Sequence, residues 1–316
     1  MSRLLTIAAA QSGPVQCETS RKDVVDRLLL QLREAHRCGC QLIVFTECAL
    51  TPFFPHWWID EERALDAYFE TSMPSPSTQP LFDEARRLGM GFHLGFAELV
   101  EEAAGKRRFN SSVLVDGRGQ VIGRFRKIHL PGHSDHRPHT PFQNLEKRYF
   151  EVGNLGFQTW NAFGGVVGMC ICNDRRWPET YRVLALKGAE LILMGYNTPD
   201  EIPEHPELNP LTDFHHRLCL QSGAYQNGCW VVAAAKAGVE AGVSQIGLTS
   251  IVAPSGEIVA ESQTRADELV MHTCDLDATR TYREFVFNFA DNRRVEYYGP
   301  ITEQTVAVTP SDAAGS

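Results

Sequence analysis

Residues 165–196, GVVGMCICNDRRWPETYRVLALKGAELILMGY, contain the clearest fold pattern of the chain. This stretch opens with small, β-branched or otherwise apolar residues, which predict a buried strand at 165–171. Pro178 and the helical spacing of the apolar residues after it predict a helix at 178–188. A second apolar run predicts another buried strand at 190–196. A strand, a helix and a strand in this order are typical of a parallel sheet in an α/β protein.

The alternation of strands and helices continues on both sides of this unit. The first half of the chain ends in a hairpin at 111–127, in which Asp116 and Gly117 form a turn that tolerates positive φ. A second hairpin, at 249–260, turns at 254–256 and closes the second half. Apolar periodicity predicts the other elements, which are strands at 4–10, 41–46, 91–99 and 229–235 and helices at 20–37, 60–70, 78–88 and 212–227.

The two halves therefore repeat one pattern, a sheet that carries helices on one face. Two such halves can bury their bare sheet faces against each other and leave the helices outside. This predicts a four-layer α-β-β-α sandwich, a single α/β domain with an internal pseudo-repeat, over residues 1–303. A doubly wound sheet is the alternative, although it would have to place both hairpins at its edges. Residues 304–316, mostly small and polar, are predicted to form a tail that is disordered or contacts another subunit.

The composition excludes several classes of protein. Hydrophobic residues make up 43% and charged residues 22% of the 316 residues, values typical of a soluble enzyme. The formal charge is −9 and the basic residues are scattered, so no nucleic-acid partner is expected. The N-terminal apolar run is too short for a membrane span and lacks the form of an export signal. Together with nine cysteines that lie mostly in apolar segments, this predicts a cytoplasmic protein without a membrane partner.

Cys172 lies at the junction between the predicted strand 165–171 and the helix that follows. A thiol at the exposed end of a strand, near a helix N-terminus, has a stabilised thiolate, so we predict a lowered pKa and a nucleophilic role for Cys172. Cys170, two residues deeper in the strand, is predicted to be buried and inert. Glu47 and Lys127 also lie at strand ends. They are candidates for a general base and an oxyanion stabiliser, and a plain ion pair is the alternative for both.

Three motifs carry these residues, namely VFTECALTPFFP at 44–55, RKIHLPG at 126–132 and ICNDRRWPE at 171–179. Together they resemble the Glu-Lys-Cys triad of the nitrilase superfamily. The segments NLEKRYFEVGNLGF, GYNTP, FHHRL and GAYQNG are similar to those of one branch, the N-carbamoyl-D-amino acid amidohydrolases or D-carbamoylases. The resemblance covers roughly residues 4–300. It implies the four-layer sandwich, a homodimer or homotetramer, and no metal or other cofactor.

The resemblance also implies roles for individual residues. Glu47, Lys127 and Cys172 are implied to be catalytic, with support from Glu146 and His129. The predicted substrate-binding set consists of Asn173, Arg175, Arg176, Asn197, Thr198 and His215. The chain departs from the family pattern at Thr46, Cys48 and Asn144, where proline, an apolar residue and, in many D-carbamoylases, histidine are usual.

Arg175 and Arg176 indicate the chemical class of the substrate. A planar guanidinium binds a carboxylate through two hydrogen bonds, and a carbamoylated amino acid carries a free α-carboxylate. Simple amides and nitriles carry no such group, although two surface arginines are the plainer interpretation. The predicted partner is a small-molecule N-carbamoyl amino acid.

The predicted function is hydrolysis of N-carbamoyl-D-amino acids to D-amino acid, ammonia and carbon dioxide, with the D configuration implied by the resemblance alone. The nearest alternative is a β-ureidopropionase-like or aliphatic amidase activity. A non-catalytic binding protein on the same fold is the alternative from another class.

The histidines at 129, 133, 136 and 139 are close in sequence, as in some metal-binding tracts. Their loop contains proline and glycine and has no fixed helical face, so no metal site is predicted. His129 and His215 are expected to orient site residues. The other histidines, His133, His136, His139 and His216, are expected to be exposed to solvent.

Overall fold

The computed structural model describes residues 2–103 and 105–307. Residues 308–316, most of the predicted tail, lie outside the described residues. The strands are β1 (Leu4–Gln11), β2 (Leu42–Val44), β3 (Gly91–Glu102), β4 (Gly105–Val115), β5 (Val121–Arg126), β6 (Thr159–Ala162), β7 (Gly165–Ile171), β8 (Leu191–Tyr196), β9 (Trp230–Ala235), β10 (Ala237–Glu240), β11 (Val243–Ile246), β12 (Ser250–Val252), β13 (Ile258–Glu261) and β14 (Glu268–Asp275).

The helices lie between these strands and after the last of them. They are α1 (Arg21–Arg37), α2 (Glu62–Asp66), α3 (Gln79–Leu88), α4 (Glu146–Tyr149), α5 (Pro178–Leu186), α6 (Thr212–Asn227), α7 (Ala278–Arg280), α8 (Phe289–Asn292) and α9 (Gly299–Glu303). Short 3-10 turns occur at Phe54–His56, Cys172–Arg176, Pro206–Leu211 and Val295–Tyr297, and a π-helical turn at Thr281–Val286.

Within the described residues, the strands form two six-stranded sheets and one short hairpin of β10 and β11. The first sheet has the order β14-β1-β2-β3-β4-β5 and the second the order β13-β12-β9-β8-β7-β6. In the first sheet β1, β2 and β3 are parallel, and in the second β7, β8 and β9 are parallel. Antiparallel strands extend both parallel cores, so the two halves repeat one pattern as predicted.

The two sheets pack face to face. One apolar cluster combines Ile7 and Val44 of the first sheet with Val167, Leu193 and Val232 of the second. Helices α1 and α3 pack on the outer face of the first sheet, and α5 and α6 pack on the second. Burying both inner faces removes the apolar surface that a single sheet would leave in water. The predicted four-layer sandwich is confirmed, and the doubly wound alternative is wrong because the strands divide between two sheets.

Several details differ from the sequence-based expectations. In the first hairpin the left-handed residue is Gly119, with φ 72°, and not Gly117. Asp116 supports this turn through its side chain, which accepts the N–H groups of Arg118 and Gln120, both at 2.9 Å. Strands β6, β10, β11 and β14 were not predicted, and β14 pairs with β1 of the other half. The helix expected at 60–70 spans only Glu62–Asp66.

Of the helices in the described ranges, none is both long enough and apolar enough to cross a membrane.

Candidate active site

Strand ends from both sheets lie at one cavity or are hydrogen-bonded to residues that line it. Lys127 directly follows β5, Cys172 follows β7, Asn197 follows β8, and Glu47 lies shortly after β2. The cavity has a volume of about 310 Å³. Its lining residues are Phe53, His56, Pro131, Gly132, His133, Phe142, Gln143, Asn144, Glu146, Cys172, Asn173, Arg175, Arg176, Asn197, Thr198, Pro199, Glu201, Ile202, Pro203, Glu204 and Thr212.

Lys127 and Glu47 are not among the lining residues, and Lys127 joins Glu47 to Glu146, which is one of them. Its Nζ donates to Glu47 Oε1 at 2.7 Å and to Glu146 Oε2 at 2.6 Å, and all three side chains are buried. Burial pulls the pKa of Lys127 down, but Cys172 and the two carboxylates outweigh it and raise that pKa well above its ordinary value. The ammonium therefore stays charged, and a fixed cation in a dry site can stabilise developing negative charge.

Asn110, which the sequence analysis did not select, ties this cluster together. Its side-chain amide donates to Glu47 Oε1 at 2.7 Å and to Glu146 Oε2 at 3.4 Å. Its backbone carbonyl accepts the N–H of Lys127 at 2.8 Å. The available signal was an amide side chain inside the mostly apolar strand β4, since a buried polar group needs partners.

The backbone of Glu47 lies between two glycines, Gly95 on β3 of the first sheet and Gly195 on β8 of the second. A Cβ on Gly95 would lie 2.5 Å from Thr46 O, and a Cβ on Gly195 would lie 2.2 Å from Glu47 N. Asn197 then fixes Glu47, because its N–H donates to Oε2 at 2.9 Å and its side-chain amide donates to the Glu47 carbonyl at 3.0 Å. Both carboxylate oxygens of Glu47 are thus held in place.

Asn197 also contacts the candidate nucleophile. The thiol of Cys172 donates to Asn197 O, with Sγ 3.3 Å from that oxygen. Cys172 has φ 47°, and Cys48, directly after Glu47, has φ 44°. A left-handed backbone at a non-glycine residue costs on the order of 1 kcal/mol or more and concentrates at functional sites. The left-handed backbone at Cys172 and beside Glu47 is consistent with a functional site. Through its hydrogen bonds to both residues, Asn197 links the thiol to the carboxylate.

The predicted exposure and lowered pKa of Cys172 are wrong. The residue is only 6% exposed, and burial together with the negative charge of Glu47 raises the pKa of Cys172 to about 11. The positive charges of Lys127 and Arg175 oppose this rise without cancelling it. At neutral pH the resting thiol is protonated, so a base has to take its proton during any attack.

Arg175 lies buried against the nucleophile. Its Nη1 donates to the Cys172 carbonyl at 2.8 Å, its Nη2 donates to Thr198 Oγ1 at 2.9 Å, and the guanidinium lies 4.7 Å from the ring centre of Tyr196. Arg176 is exposed at the cavity. Within the described part of the chain, Arg175 Nε has no hydrogen-bond partner and neither arginine is paired with a carboxylate.

His129 supports the Cys172 turn and is not among the residues that line the cavity at Cys172. Its backbone N–H and ring Nδ1 both contact Asp174 Oδ1, at 2.9 and 2.8 Å. Asp174 Oδ2 accepts the N–H of Ile171 at 3.0 Å, and Asn173 donates to the His129 carbonyl at 3.0 Å. His129 thus holds the residues around Cys172, and Asp174 was missed because an acidic residue in a turn reads as a solvated charge.

The expectations for His215 and His216 need correction. His215 is partly exposed, does not line the cavity, and packs on Phe214. His216 is 1% exposed, with Nε2 at 3.1 Å from the hydroxyl of Tyr196, whose ring packs on Arg175. The buried residues of α6 include positions 212, 216 and 220, so His216 lies on the face of the helix that packs against the sheet.

The other histidines have separate partners. His133 lines the cavity and is partly buried, contrary to the prediction, and its Nδ1 lies 2.8 Å from Asp135 O. His136 and His139 are exposed as predicted, with His136 stacked on Trp58. Over residues 2–103 and 105–307, no group of three histidine, cysteine or acidic side chains is arranged to hold a metal ion.

The three residues that depart from the family pattern are all buried or partly buried. Cys48 Sγ lies 3.9 Å from Asn110 Oδ1, which helps to orient that amide, and Thr46 Oγ1 has no partner among the described residues. The carbonyl of Asn144 accepts the N–H of His133 at 2.9 Å.

The side-chain oxygens of Asn144 and Asn197 are buried and find no donor in the described ranges, so a ligand with N–H groups would satisfy them.

Glu146 is expected to make the stability of the protein depend on pH. Burial, opposed by the charge of Lys127, raises the pKa of Glu146 from 4.5 to about 7. The folded state then binds this proton more tightly than the unfolded chain. Protonation of Glu146 therefore adds to the free energy of unfolding below about pH 4.5, and this contribution is lost as the pH rises through 7. Glu146→Gln removes the titrating group, and with it a pH-dependent part of the free energy of unfolding of at most about 3 kcal/mol.

The measurement is the melting temperature of both proteins at about pH 5 and pH 8. The wild type should lose stability relative to Glu146→Gln as the pH rises. A difference between the two proteins that does not change with pH would contradict this account.

The chain is similar to proteins of known families. The family model described as carbon-nitrogen hydrolase matches residues 6–284. Among curated relatives, an N-carbamoylputrescine amidase from Arabidopsis thaliana is 28% identical and covers 83% of this chain and 84% of its own. A nitrilase from Pyrococcus abyssi is 33% identical, with 84% and 89% covered. A citrullinase from Francisella tularensis is 27% identical, with 88% and 92% covered.

Solved structures share the fold. A carbon-nitrogen hydrolase from Helicobacter pylori superimposes with a TM-score of 0.82 at 22% identity, covering 96% of this chain and all of that one. An amidase from Nesterenkonia sp. gives a TM-score of 0.69 at 20% identity, covering 93% and 95%. At these identities the likeness concerns the fold alone.

Proposed function

This chain belongs to the carbon-nitrogen hydrolase family, the nitrilase superfamily, and from that premise we propose that it hydrolyses N-carbamoyl-D-amino acids to D-amino acid, ammonia and carbon dioxide. The observation that carries the proposal is a pair of guanidinium groups, those of Arg175 and Arg176, at a cavity that also contains Cys172. The coarser activity, hydrolysis of a carbon-nitrogen bond, follows from the family.

A carbamoyl group suits the polar side of the cavity. Its NH₂ and NH hydrogens need acceptors, and the unpaired oxygens of Asn144 and Asn197 provide two. Two relatives are named for N-carbamoylputrescine and citrulline, both of which are carbamoylated amines. These names concern those proteins, and they favour a ureido substrate for this one.

The α-carboxylate suits the two arginines. Arg175 is buried, keeps its Nε free of partners within the described residues, and lies next to Cys172, so an anion there would meet a desolvated cation. Arg176, on the exposed side, adds a second positive charge. Neutral amides gain nothing from either charge. The D configuration rests on the motifs shared with the D-carbamoylases.

In the proposed mechanism Glu47 acts as the general base. It takes the proton of Cys172 while the sulfur attacks the ureido carbon, which explains how a thiol of raised pKa can react at neutral pH. Lys127 and backbone N–H groups stabilise the oxyanion. The protonated Glu47 then gives its proton to the leaving nitrogen.

Water completes the cycle. Glu47 takes a proton from the water that attacks the carbonyl carbon bound to Cys172, and the sulfur leaves as a thiol after regaining a proton. If the amino acid leaves first, the water releases carbamic acid, which decomposes to ammonia and carbon dioxide. Glu146 and Asn110 hold Lys127 and Glu47 throughout.

A panel of substrates tests this proposal. It consists of N-carbamoyl-D-phenylalanine, its L enantiomer, N-carbamoyl-β-alanine, N-carbamoylputrescine and a simple aliphatic amide, with release of ammonia as the readout. We expect kcat/KM for the D-carbamoyl acid to exceed the other values by about tenfold or more. Faster hydrolysis of the L enantiomer or of the neutral amide would contradict the proposal.

A second candidate is hydrolysis of a carbamoylated diamine. It is favoured by Glu201, which lines the exposed side of the cavity and, in the described part of the chain, forms no ion pair, so it could receive an ammonium group. Preferred turnover of N-carbamoylputrescine in the panel would select this function. We place it second because Arg175 is buried with Nη1 at 3.7 Å from Cys172 Sγ, whereas Glu201 is exposed to solvent.

A further inference from the structure

A second buried ion pair lies next to the site and has no part in the chemistry above. Lys236 follows β9 and Glu240 ends β10, and both side chains are fully buried. The distance from Lys236 Nζ to Glu240 Oε2 is 2.9 Å. A buried ion pair is weak support for stability, because its desolvation cost is comparable to the attraction it gains. Its contacts therefore suggest another role.

Both members of the pair hold the backbone of one loop. Lys236 Nζ donates to the carbonyl of Thr51. Glu240 Oε1 accepts the N–H of Phe53 at 2.6 Å, while its Oε2 accepts the N–H of Val15 at 2.9 Å. Each of these hydrogen bonds involves a charged group and is stronger than a neutral one. The segment 51–53 is thus fixed from the interior.

This loop forms one wall of the cavity. Phe53 and His56 line it, and the ring of His56 lies 5.2 Å from that of Phe142, another lining residue. The carbonyl of His56 accepts the N–H of Gln143 at 3.0 Å, and the carbonyl of Pro55 accepts the N–H of Leu145 at 2.9 Å. Glu146 follows Leu145 directly. The loop therefore connects the buried pair to a second segment of the cavity, residues 142–146.

We propose that Lys236 and Glu240 are positioning residues, which set the cavity wall formed by residues 51–56 and 142–146 in the shape that binds substrate. The proposal rests on the proposed function only in that this cavity binds the substrate, whichever carbamoyl compound that is. Neither residue touches the reacting atoms. Loss of the pair should weaken substrate binding more than it slows the chemical steps.

The decisive variant is the double substitution Lys236→Met with Glu240→Leu. Apolar residues of similar volume commonly replace a buried ion pair with little loss of stability, so this variant is expected to fold. It cannot hold Thr51 O or the Phe53 N–H. We expect KM to rise about tenfold and kcat to change by less than about threefold, the signature of lost substrate binding. The single variant Glu240→Gln, which keeps an acceptor oxygen for Phe53, should show a smaller rise in KM.

Amide hydrogen exchange provides a readout that needs no substrate. Peptides covering 51–56 and 142–146 should exchange about tenfold faster in the double variant, because their backbone anchors are gone. Glu84→Gln is the matched control. Glu84 is also a buried carboxylate, is paired with Arg33 of α1 and Arg87 of α3, and does not line the cavity, so its loss should alter neither KM nor exchange in these peptides.

Two results would overturn the proposal. One is a wild-type KM in the folded double variant, and the other is unchanged exchange in both peptides. If no compound in the panel is hydrolysed, the proposed function fails, and the exchange measurement still decides whether the pair positions the wall.

Discussion

Cys172→Ala is expected to abolish hydrolysis of every substrate, with kcat/KM reduced by at least about 10⁴-fold. Sulfur is the only atom in the proposed mechanism that can form the covalent intermediate. Without it, Glu47 and Lys127 can at most orient a water molecule. Ammonia release by the purified variant, measured against the best substrate of the panel, checks this result.

Cys170→Ala is the matched control for that variant. Cys170 is fully buried two residues earlier on β7, within the apolar cluster between the layers. Its loss should lower the melting temperature, since it leaves a small cavity, and it should leave kcat/KM within about threefold of wild type. Retained activity in Cys172→Ala, or lost activity in a folded Cys170→Ala, would show that the nucleophile has been misassigned.

Arg175→Gln is expected to have the second largest effect, and its size should depend on the charge of the substrate. The informative pair is N-carbamoyl-D-phenylalanine and its carboxamide, which differ only in the anionic group. Loss of a buried guanidinium should lower the ratio of kcat/KM for the acid to kcat/KM for the carboxamide by about 100-fold. Arg175 also holds the Cys172 carbonyl, but that contribution affects both substrates and cancels in the ratio.

Two further arginines calibrate this result. Arg176→Gln should change the same ratio by only about tenfold, because its charge is exposed and screened by water. Arg182→Gln, on α5 and in contact with Phe289, should leave the ratio unchanged. An unaltered ratio in Arg175→Gln would remove the main support for a carboxylate substrate.

Local patterns in the sequence were sufficient for most of the strands and for the longer helices between them. The unit 165–196 folds as a strand, a helix and a parallel strand because apolar spacing and the proline at 178 act within a few residues. Glu47, Lys127 and Cys172 could be selected as polar residues at strand ends, and the structure brings them to one edge of the two sheets. Their catalytic roles remain proposals.

Long-range packing decided what the sequence analysis missed. Strand β14 joins β1 across almost the whole chain, and its short apolar pattern contains no mark of its partner. Asn110 and Asp174 became candidates only through the residues they contact. His216 was misjudged because the phase of a weakly amphipathic helix is hard to assign from sequence alone.

Residue patterns along the chain were enough to predict most strands and helices in their order, the repeat of two halves, and the residue types available for chemistry at the strand ends. The charge state of that chemistry follows instead from the packing of the two sheets. The pKa of Cys172 depends on burial and on Glu47, and Glu47 belongs to the opposite sheet. Electrostatic energies depend on distance and solvent exposure, and neither quantity exists until the two sheets have packed together.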